Sequence, residues 1–562
     1  MRRAADHLAD CLAALGADRM FCVPGESYLA LLDALYGRKR IDLVVCRHEG
    51  GAGMMAVADA KLTGRPGLLA VSRGPGATNA SIAIHLAQQD AVPLMVLVGQ
   101  VARHERGRGA FQEVDYSQAF REMTKGVWEV QHAAQMTETL SRAWKLALSG
   151  TPGPVVIALP EDMLGDPVQA DPVLPPAIPL CGPGAREIES AAEMLASAER
   201  PLIIAGGGLE GAEGRAALKA LAEAQGIPVA LTFKHQEIFD NGSSLYAGHL
   251  GFKIPGSLVK TLSEADLILA LGTRLGDVPT QGYRLPRAPG PDQPLIHVWP
   301  DPAMIGKVFR TDLGLPCDPA AFCRALAGAG PAVPAARAEW RARAHGAMRQ
   351  IADYTPQDFA DGLDFGAVVQ ELARQAPRDS IVVTDSGNFS GWVHLAWPWD
   401  GTQKAIGAVG GAMGLGVPGA VAASLRHPEK TVLGFVGDGG ALMTGNELAT
   451  AMSKGARPKI IVSDNRTYGT IRLHQERDYP DRVSGTDLVN PDFAAWAAAF
   501  GVKSWHLSKG GDIAGIVGEF LGHEGPALLS VASSAEAISA YTTISALHER
   551  TRRAQSAGVR KG

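Results

Sequence analysis

Short apolar runs rich in β-branched residues recur along this chain, each followed by a glycine-containing turn and an Ala/Leu-rich stretch. They read MFCV from residue 20, LVVC from 43, GLLAVS from 67, PLMVLVG from 93 and PVVIAL from 154. A second set is PLIIAG from 201, IPVAL from 227, ADLILALG from 265 and PLIHVW from 294. The third is SIVVTD from 380, KTVLGFVG from 430, KIIVSDN from 459 and ALLSVA from 527. Runs of strand length that never alternate with polar residues must be covered on both faces, so this order predicts buried parallel sheets with helices on either side.

Two proline-rich stretches divide the sets. Residues 166–186 (DPVQADPVLPPAIPLCGPGAR) and 328–336 (GAGPAVPAA) deny backbone donors to helix and ladder alike. A chain of 562 residues also exceeds one ordinary core. The expected units are 1–165, 187–328 and 355–545, with a frayed tail over 546–562 that ends in the basic HERTRRAQSAGVRKG. The predicted fold class is α/β, with three doubly wound parallel-sheet domains.

Composition excludes several classes. Lys and Arg total 53 against 58 Asp and Glu, and no basic stripe interleaved with aromatics points to nucleic acid. Cysteines 11, 22, 46, 181, 317 and 323 show no CxxC spacing and no clustering with histidines, which argues against a zinc site and a disulfide framework. Asp6, His7 and Asp10 interrupt what would be the apolar part of a signal peptide, and no segment reaches membrane-spanning length. The expected location is the cytoplasm.

The stretch VGDGGALMTGNELATAMSKGARPKIIVSDN, residues 436–465, carries chemistry. In parallel sheets, ligands bind beyond the carboxyl ends of strands, where glycine turns admit a phosphate and helix N-termini offer free N–H groups. Asp438 follows the run TVLGFVG and Asn465 ends the next run, so both belong to one sheet edge. Mg²⁺ is satisfied by one or two protein oxygens together with phosphate oxygens. An ordinary Asp-Gly turn and an ordinary strand terminus would read the same in isolation.

The spacing, GDG then 24 residues then an Asn-type pair, resembles the metal and diphosphate signature of thiamine diphosphate (ThDP) enzymes. FCVPGESYLALLDAL (21–35), CRHEGGAGMMAVADAKLTGRPGLLAVSRGPGATN (46–79), GAFQEVDY (109–116) and GAVGGAMGLGVPGA (407–420) are similar to blocks of the acetohydroxyacid (acetolactate) synthase branch, in the same order. The resemblance implies a pyrimidine-binding first domain, a diphosphate-binding third domain and a central domain that holds FAD in some members.

It also implies roles for single residues. Glu49 would hydrogen-bond the coenzyme pyrimidine and promote its activation, although a Glu after a buried strand can equally be a surface or ion-paired residue. Met413 would support the bent coenzyme and the Gly411 carbonyl would accept from its amino group; plain core filling is the alternative for Met413. Asp438, the Asn465 side chain and the Thr467 carbonyl would ligate Mg²⁺, with Asp464 standing where Asn is usual. Gly437, Gly439, Gly440, Gly387, Asn388, Tyr468 and Gly469 complete the implied cofactor contacts. Ser27, Tyr28, Phe111 and Gln112 would face substrate, or Phe111 would pack into a domain seam. In the family, active centres span two subunits, which implies a homodimer or a dimer of dimers.

The reaction implied is decarboxylation of a 2-oxo acid followed by carboligation, as in acetolactate synthases. Proton donors typical of simple decarboxylases are missing: His104 stands alone beside arginines, and Ser72 and Arg73 stand where benzoylformate decarboxylases carry His. His474 replaces the Trp that selects 2-oxobutyrate, so the acceptor is open. AGGG at 205–208, with Arg274 and Asp277 in LGTRLGD, keeps part of a flavin pattern and leaves FAD open. A decarboxylase, a C–C lyase of the benzaldehyde lyase type and a flavin-linked pyruvate oxidase are the alternatives on this scaffold.

Overall fold

The computed structural model describes residues 2–556 apart from 38, 39, 173, 174, 253, 331 and 353, with the side chains of 350 and 554–556 also outside the description. It contains three six-stranded parallel sheets. Their central strands are the apolar runs of the sequence, and each is buried along its length, as in Leu94–Gln100 and Pro201–Ala205. Burying both faces of such a strand removes all its side chains from water, roughly 1.5–3 kcal/mol for each large aliphatic residue.

The first and third sheets share one strand order and the second has another. In the first, the order is Asp42–Val45, Arg19–Cys22, Gly67–Val71, Leu94–Gln100, Pro154–Pro160 and Gly126–Glu129. The second runs Tyr246–Leu250, Val229–Thr232, Pro201–Ala205, Leu267–Leu271, Leu295–Val298 and Leu313–Leu315. The third runs Lys404–Gly407, Ile381–Thr384, Val432–Gly437, Lys459–Asp464, Ala527–Ala532 and Lys503–Leu507. In each, the chain leaves one inner strand in opposite directions, which opens a crevice beyond the carboxyl ends of two neighbours. Those crevices fall between Cys22 and Val71, between Ala205 and Leu271, and between Thr384 and Gly437.

The first and third units are clamped together. The Arg426 guanidinium donates two bonds of 2.9 Å to Asp18 and bonds of 2.8 and 2.9 Å to Asp59. It ends helix Gly416–Arg426, which packs along helix Glu49–Thr63. The proline-rich stretch after 166 forms only the short strand Pro167–Val168, paired antiparallel with Arg2–Arg3. After 328–336, helix Ala336–Ala352 covers the central sheet, with Trp340 Nε1 donating to the Pro201 carbonyl at 2.7 Å.

The C-terminal stretch differs from the frayed tail that its composition suggests. Residues Ile544–Ser556 form a helix, and His548 Nε2 meets Glu476 Oε2 at 2.6 Å. This contact to a buried carboxylate gives the basic segment a docking point; residues 557–562 lie outside the described residues.

Candidate active site

Beside the third sheet's crevice, which opens between Thr384 and Gly437, two adjacent strand ends carry the candidate metal ligands. Val432–Gly437 and Lys459–Asp464 pair in parallel, with Gly437 opposite Ser463, so Asp438 and Asp464–Asn465 emerge side by side. Asp438 opens helix Asp438–Thr444 and is 3% exposed. Its carboxylate accepts from the Gly439 N–H at 2.9 Å and from Asn490 Nδ2 at 2.8 Å. Burial pushes this carboxyl up to about 6, against the pull of those hydrogen bonds. Arg466 then takes φ +55, which turns the chain back so that the Thr467 N–H donates to Asn465 Oδ1 at 3.2 Å. A carboxylate, a carboxamide oxygen and main-chain carbonyls are the hard donors that Mg²⁺ prefers, and the residues present fit it.

The turns of this crevice are packed too closely for side chains. A Cβ on Gly439 would lie 2.5 Å from Tyr468 Cε1, and one on Gly440 would lie 2.7 Å from Asp385 Oδ2. Asp385, fully buried, accepts from the Gly414 N–H at 2.9 and 3.0 Å and from the Ser386 N–H at 2.7 Å. Desolvation raises its proton affinity. One carboxylate thus holds the Gly411–Gly414 turn, where Gly411 has φ +74 and Gly414 φ +94, against the Gly439–Gly440 turn. Met413, half-buried, rides on the turn so held. The Asn388 side chain is held within the third unit: its Nδ2 donates to the Gly469 and Ile538 carbonyls at 3.1 and 2.9 Å, and its Oδ1 accepts from Thr470. What Gly387 and Asn388 offer a diphosphate is therefore main chain.

A residue that sequence reasoning missed braces this floor from the central unit. Lys234, 4% exposed and at φ +65, sends its ammonium to Thr384 Oγ1 and the Asp385 carbonyl, each at 3.0 Å. Burial lowers this lysine to about 8. A Cβ at Gly407 would meet Lys234 Cδ at 2.4 Å and so displace this lysine.

Glu49 starts helix Glu49–Thr63, capped by His48 Nδ1 accepting from the Gly50 N–H at 3.0 Å. Its carboxylate accepts from Asn79 Nδ2 at 2.9 Å and faces Gly76, where a Cβ would sit 3.3 Å away. A second carboxylate supports the same helix end. Glu447, fully buried, accepts from the N–H groups of Arg47 and His48 at 3.0 Å and from Thr450 Oγ1 at 2.6 Å. An anion at a helix N-terminus satisfies orphan donors and the macrodipole together. Glu447 also belongs to the segment that begins with Asp438, so one short stretch serves both crevices.

Ser27 and Gln112 converge on the first sheet's crevice; Tyr28 and Phe111 do not. Ser27, fully buried, accepts from the Arg73 N–H at 3.2 Å and lies 3.1 Å from Ser72 Oγ. Gln112, at φ +63, packs against Gly74, and the Gly74 N–H donates to Tyr116 Oη at 2.9 Å. Arg73, 8% exposed, is gripped by Glu161 at 2.7 Å and Glu26 at 2.9 Å. Tyr28 instead turns into the core, with its hydroxyl on the Val23 carbonyl. Phe111 is 74% exposed in the single chain. Among the described residues, Glu49 shares no hydrogen bond with the Asp438 crevice. His474 is held by Arg477 at 2.7 Å.

The central crevice opens into a groove of 1130 Å³ shared with the first unit. A Cβ on Gly207 would meet His235 at 2.9 Å, and Arg274 already donates to the Gln89 carbonyl. Its wall carries Glu210 between His235 at 2.6 Å and Lys404 at 2.7 Å.

Family models match in the order of the three sheets. The thiamine pyrophosphate enzyme N-terminal TPP binding domain covers residues 2–119, the central domain 188–326 and the C-terminal TPP binding domain 385–531. The chain therefore belongs to the ThDP enzyme family. Within it, the relatives are of the acetolactate synthase branch. Acetolactate synthase isozyme 2 large subunit of Escherichia coli (strain K12) is 30% identical over 538 residues, 94% of this chain and 95% of that protein. The isozyme 1 large subunit of the same strain is 32% identical over 529 residues, covering 92% and 91%. The acetolactate synthase large subunit of Lactococcus lactis subsp. lactis (strain IL1403) is 31% identical over 511 residues, covering 89% and 87%.

Proposed function

We propose that this enzyme uses ThDP and Mg²⁺ to decarboxylate a 2-oxo acid and join the remaining acyl carbon to a second carbonyl compound, with acetolactate from pyruvate as the leading reaction. The observation that carries the coenzyme assignment is this edge of the third sheet, where Asp438 and Asn465 stand on neighbouring strand ends and Gly439 and Gly440, at the start of helix Asp438–Thr444, leave no room for a side chain. When bound, ThDP supplies a nucleophilic carbon and an electron sink for loss of CO₂.

The chain's own residues do the rest. Asp438, the Asn465 side chain and the Thr467 carbonyl hold Mg²⁺, and the Gly439 and Gly440 N–H groups, with those of Gly387 and Asn388, meet the diphosphate; Gly437, Tyr468 and Gly469 close around it. Asp385 fixes the turn that presents Met413 and the Gly411 carbonyl to the ring system. Glu49 hydrogen-bonds the pyrimidine, and its helix end is held by Glu447. Ser27, Ser72 and Gln112 line the substrate side, where neither Ser72 nor Arg73 supplies an imidazole to protonate the product. That disfavours a simple decarboxylase and leaves the new carbon to be taken by a carbonyl acceptor.

The units act as 1–165, 187–328 and 355–545, and two subunits complete each centre. Support comes from Glu49 sharing no hydrogen bond with the Asp438 crevice among the described residues, and from Phe111, Leu442, Met443, Met452 and Ile471, all more than 40% exposed. We read the assembly as a homodimer or dimer of dimers in the cytoplasm; among the described residues no helix is long and apolar enough to cross a membrane. FAD is a second reading, favoured by the size of the central groove and its glycine turn. The test is a turnover assay with ThDP, Mg²⁺ and pyruvate that follows CO₂, identifies the carbon product and records the flavin absorbance of the purified protein. Acetolactate supports the proposal; acetaldehyde alone, or flavin reduction on pyruvate addition, replaces it with a decarboxylase or an oxidase.

A further inference from the structure

The loop that approaches the cation crevice from the far side begins at Thr486, whose carbonyl accepts from the Tyr468 N–H at 2.9 Å and from Thr467 Oγ1 at 3.0 Å. Leu488 N–H donates to the Arg466 carbonyl at 2.8 Å. Two residues beyond Asn490, Asp492 caps helix Phe493–Ala499 by accepting from the Ala494 and Ala495 N–H groups, and Phe493 is buried in the core. Asn490 is thus placed by fixed backbone on both sides. Its single amide nitrogen lies 2.8 Å from Asp438 Oδ2 and 2.8 Å from Asp464 Oδ1.

An amide nitrogen has two protons and can donate one to each of two acceptors. Here the acceptors are carboxylates on adjacent strand ends, which repel one another as anions. We propose that Asn490 is a positioning residue for the cation site: it holds Asp438 in its ligating orientation and offsets the repulsion from Asp464, so that Asp464 adds negative potential without displacing the ligand. This rests on the assignment of Asp438 as a Mg²⁺ ligand. Residues that orient metal ligands are commonly worth 10–100-fold in affinity.

Direct titration tests it. Mg²⁺ is titrated calorimetrically into protein saturated with ThDP, for the natural chain and for Asn490→Ala, Asn490→Ser, Asp464→Asn and the double variant Asn490→Ala/Asp464→Asn. Asn490→Ala is expected to weaken Mg²⁺ binding at least about 10-fold. The serine variant, with one proton to donate, should fall between. In the double variant the repulsion is gone and the new amide at 464 can itself donate to Asp438, so most of the loss should be restored. A purely structural role would not be rescued at 464. The inference is overturned if Asn490→Ala binds Mg²⁺ within twofold of the natural protein, or if Asp464→Asn fails to restore it. If the natural protein binds no Mg²⁺ in the presence of ThDP, the ligand assignment itself falls, and the inference with it.

Discussion

Replacing Glu447 by alanine should destabilise the junction between the first and third units and misplace Glu49. The side chain is fully buried and accepts from two backbone N–H groups and one hydroxyl, with distances of 3.0 Å or less. Alanine leaves the two part-buried N–H groups without their acceptor, at up to about 1–3 kcal/mol each. Part of that is offset because the carboxylate pays for its own burial, seen in its raised proton affinity. The net expected loss is about 2–4 kcal/mol. Glu447→Gln keeps the shape and one strong acceptor, and should lose about 1–2 kcal/mol. Calorimetry of the cofactor-free protein should show the transition lowered by several degrees for alanine and by less for glutamine. If the glutamine variant is as damaged as alanine, or if neither differs from the natural protein, the capping argument is refuted.

Other outcomes follow from the same geometry. Asp438→Ala should fail to retain ThDP on gel filtration, because the remaining oxygen donors do not hold Mg²⁺ against water. Lys234→Met removes the brace under Thr384 and Asp385 and should weaken ThDP binding about 10-fold, read by fluorescence titration. Phe111→Ala should raise KM for the oxo acid while leaving the fold intact, since the ring is 74% exposed in the single chain; an unfolded variant would show that it packs a domain seam instead. Arg426 holds the Asp18 carboxyl well below the usual range, so its contribution is present above the unfolded carboxylate value, about 4, and lost as pH falls through the depressed folded value. Asp18→Asn should accordingly flatten acid unfolding in that window.

The sequence announced the inner strands and one edge, Asp42–Val45, and concealed the other edges. In the six-stranded sheets, every strand absent from the sequence reading is an edge: Gly126–Glu129, Tyr246–Leu250, Leu313–Leu315, Lys404–Gly407 and Lys503–Leu507. An inner strand is apolar throughout because both faces are covered, whereas in Lys503–Leu507 only Leu507 is buried and there is no such signature. The cation crevice was legible for the opposite reason, since its glycine turns and its Asp and Asn are contiguous with the strands that carry them. Asn490, Lys234 and Glu447 were not. Each acts through a contact between segments far apart in the chain, and a lone Asn, Lys or Glu has no local pattern that marks it. Tyr28 was misplaced because a residue after a glycine turn can point to either side, and here its hydroxyl finds the Val23 carbonyl within the core.

The central claim is that Glu49 and the Asp438 crevice serve one bound coenzyme. The rate of deuterium exchange at the thiazolium C2 of enzyme-bound ThDP, by quenched-flow NMR, tests it most directly. Fast exchange in the natural protein, slowed at least about 100-fold in Glu49→Gln with ThDP still bound, is the predicted result. Equal rates in the two proteins would contradict it.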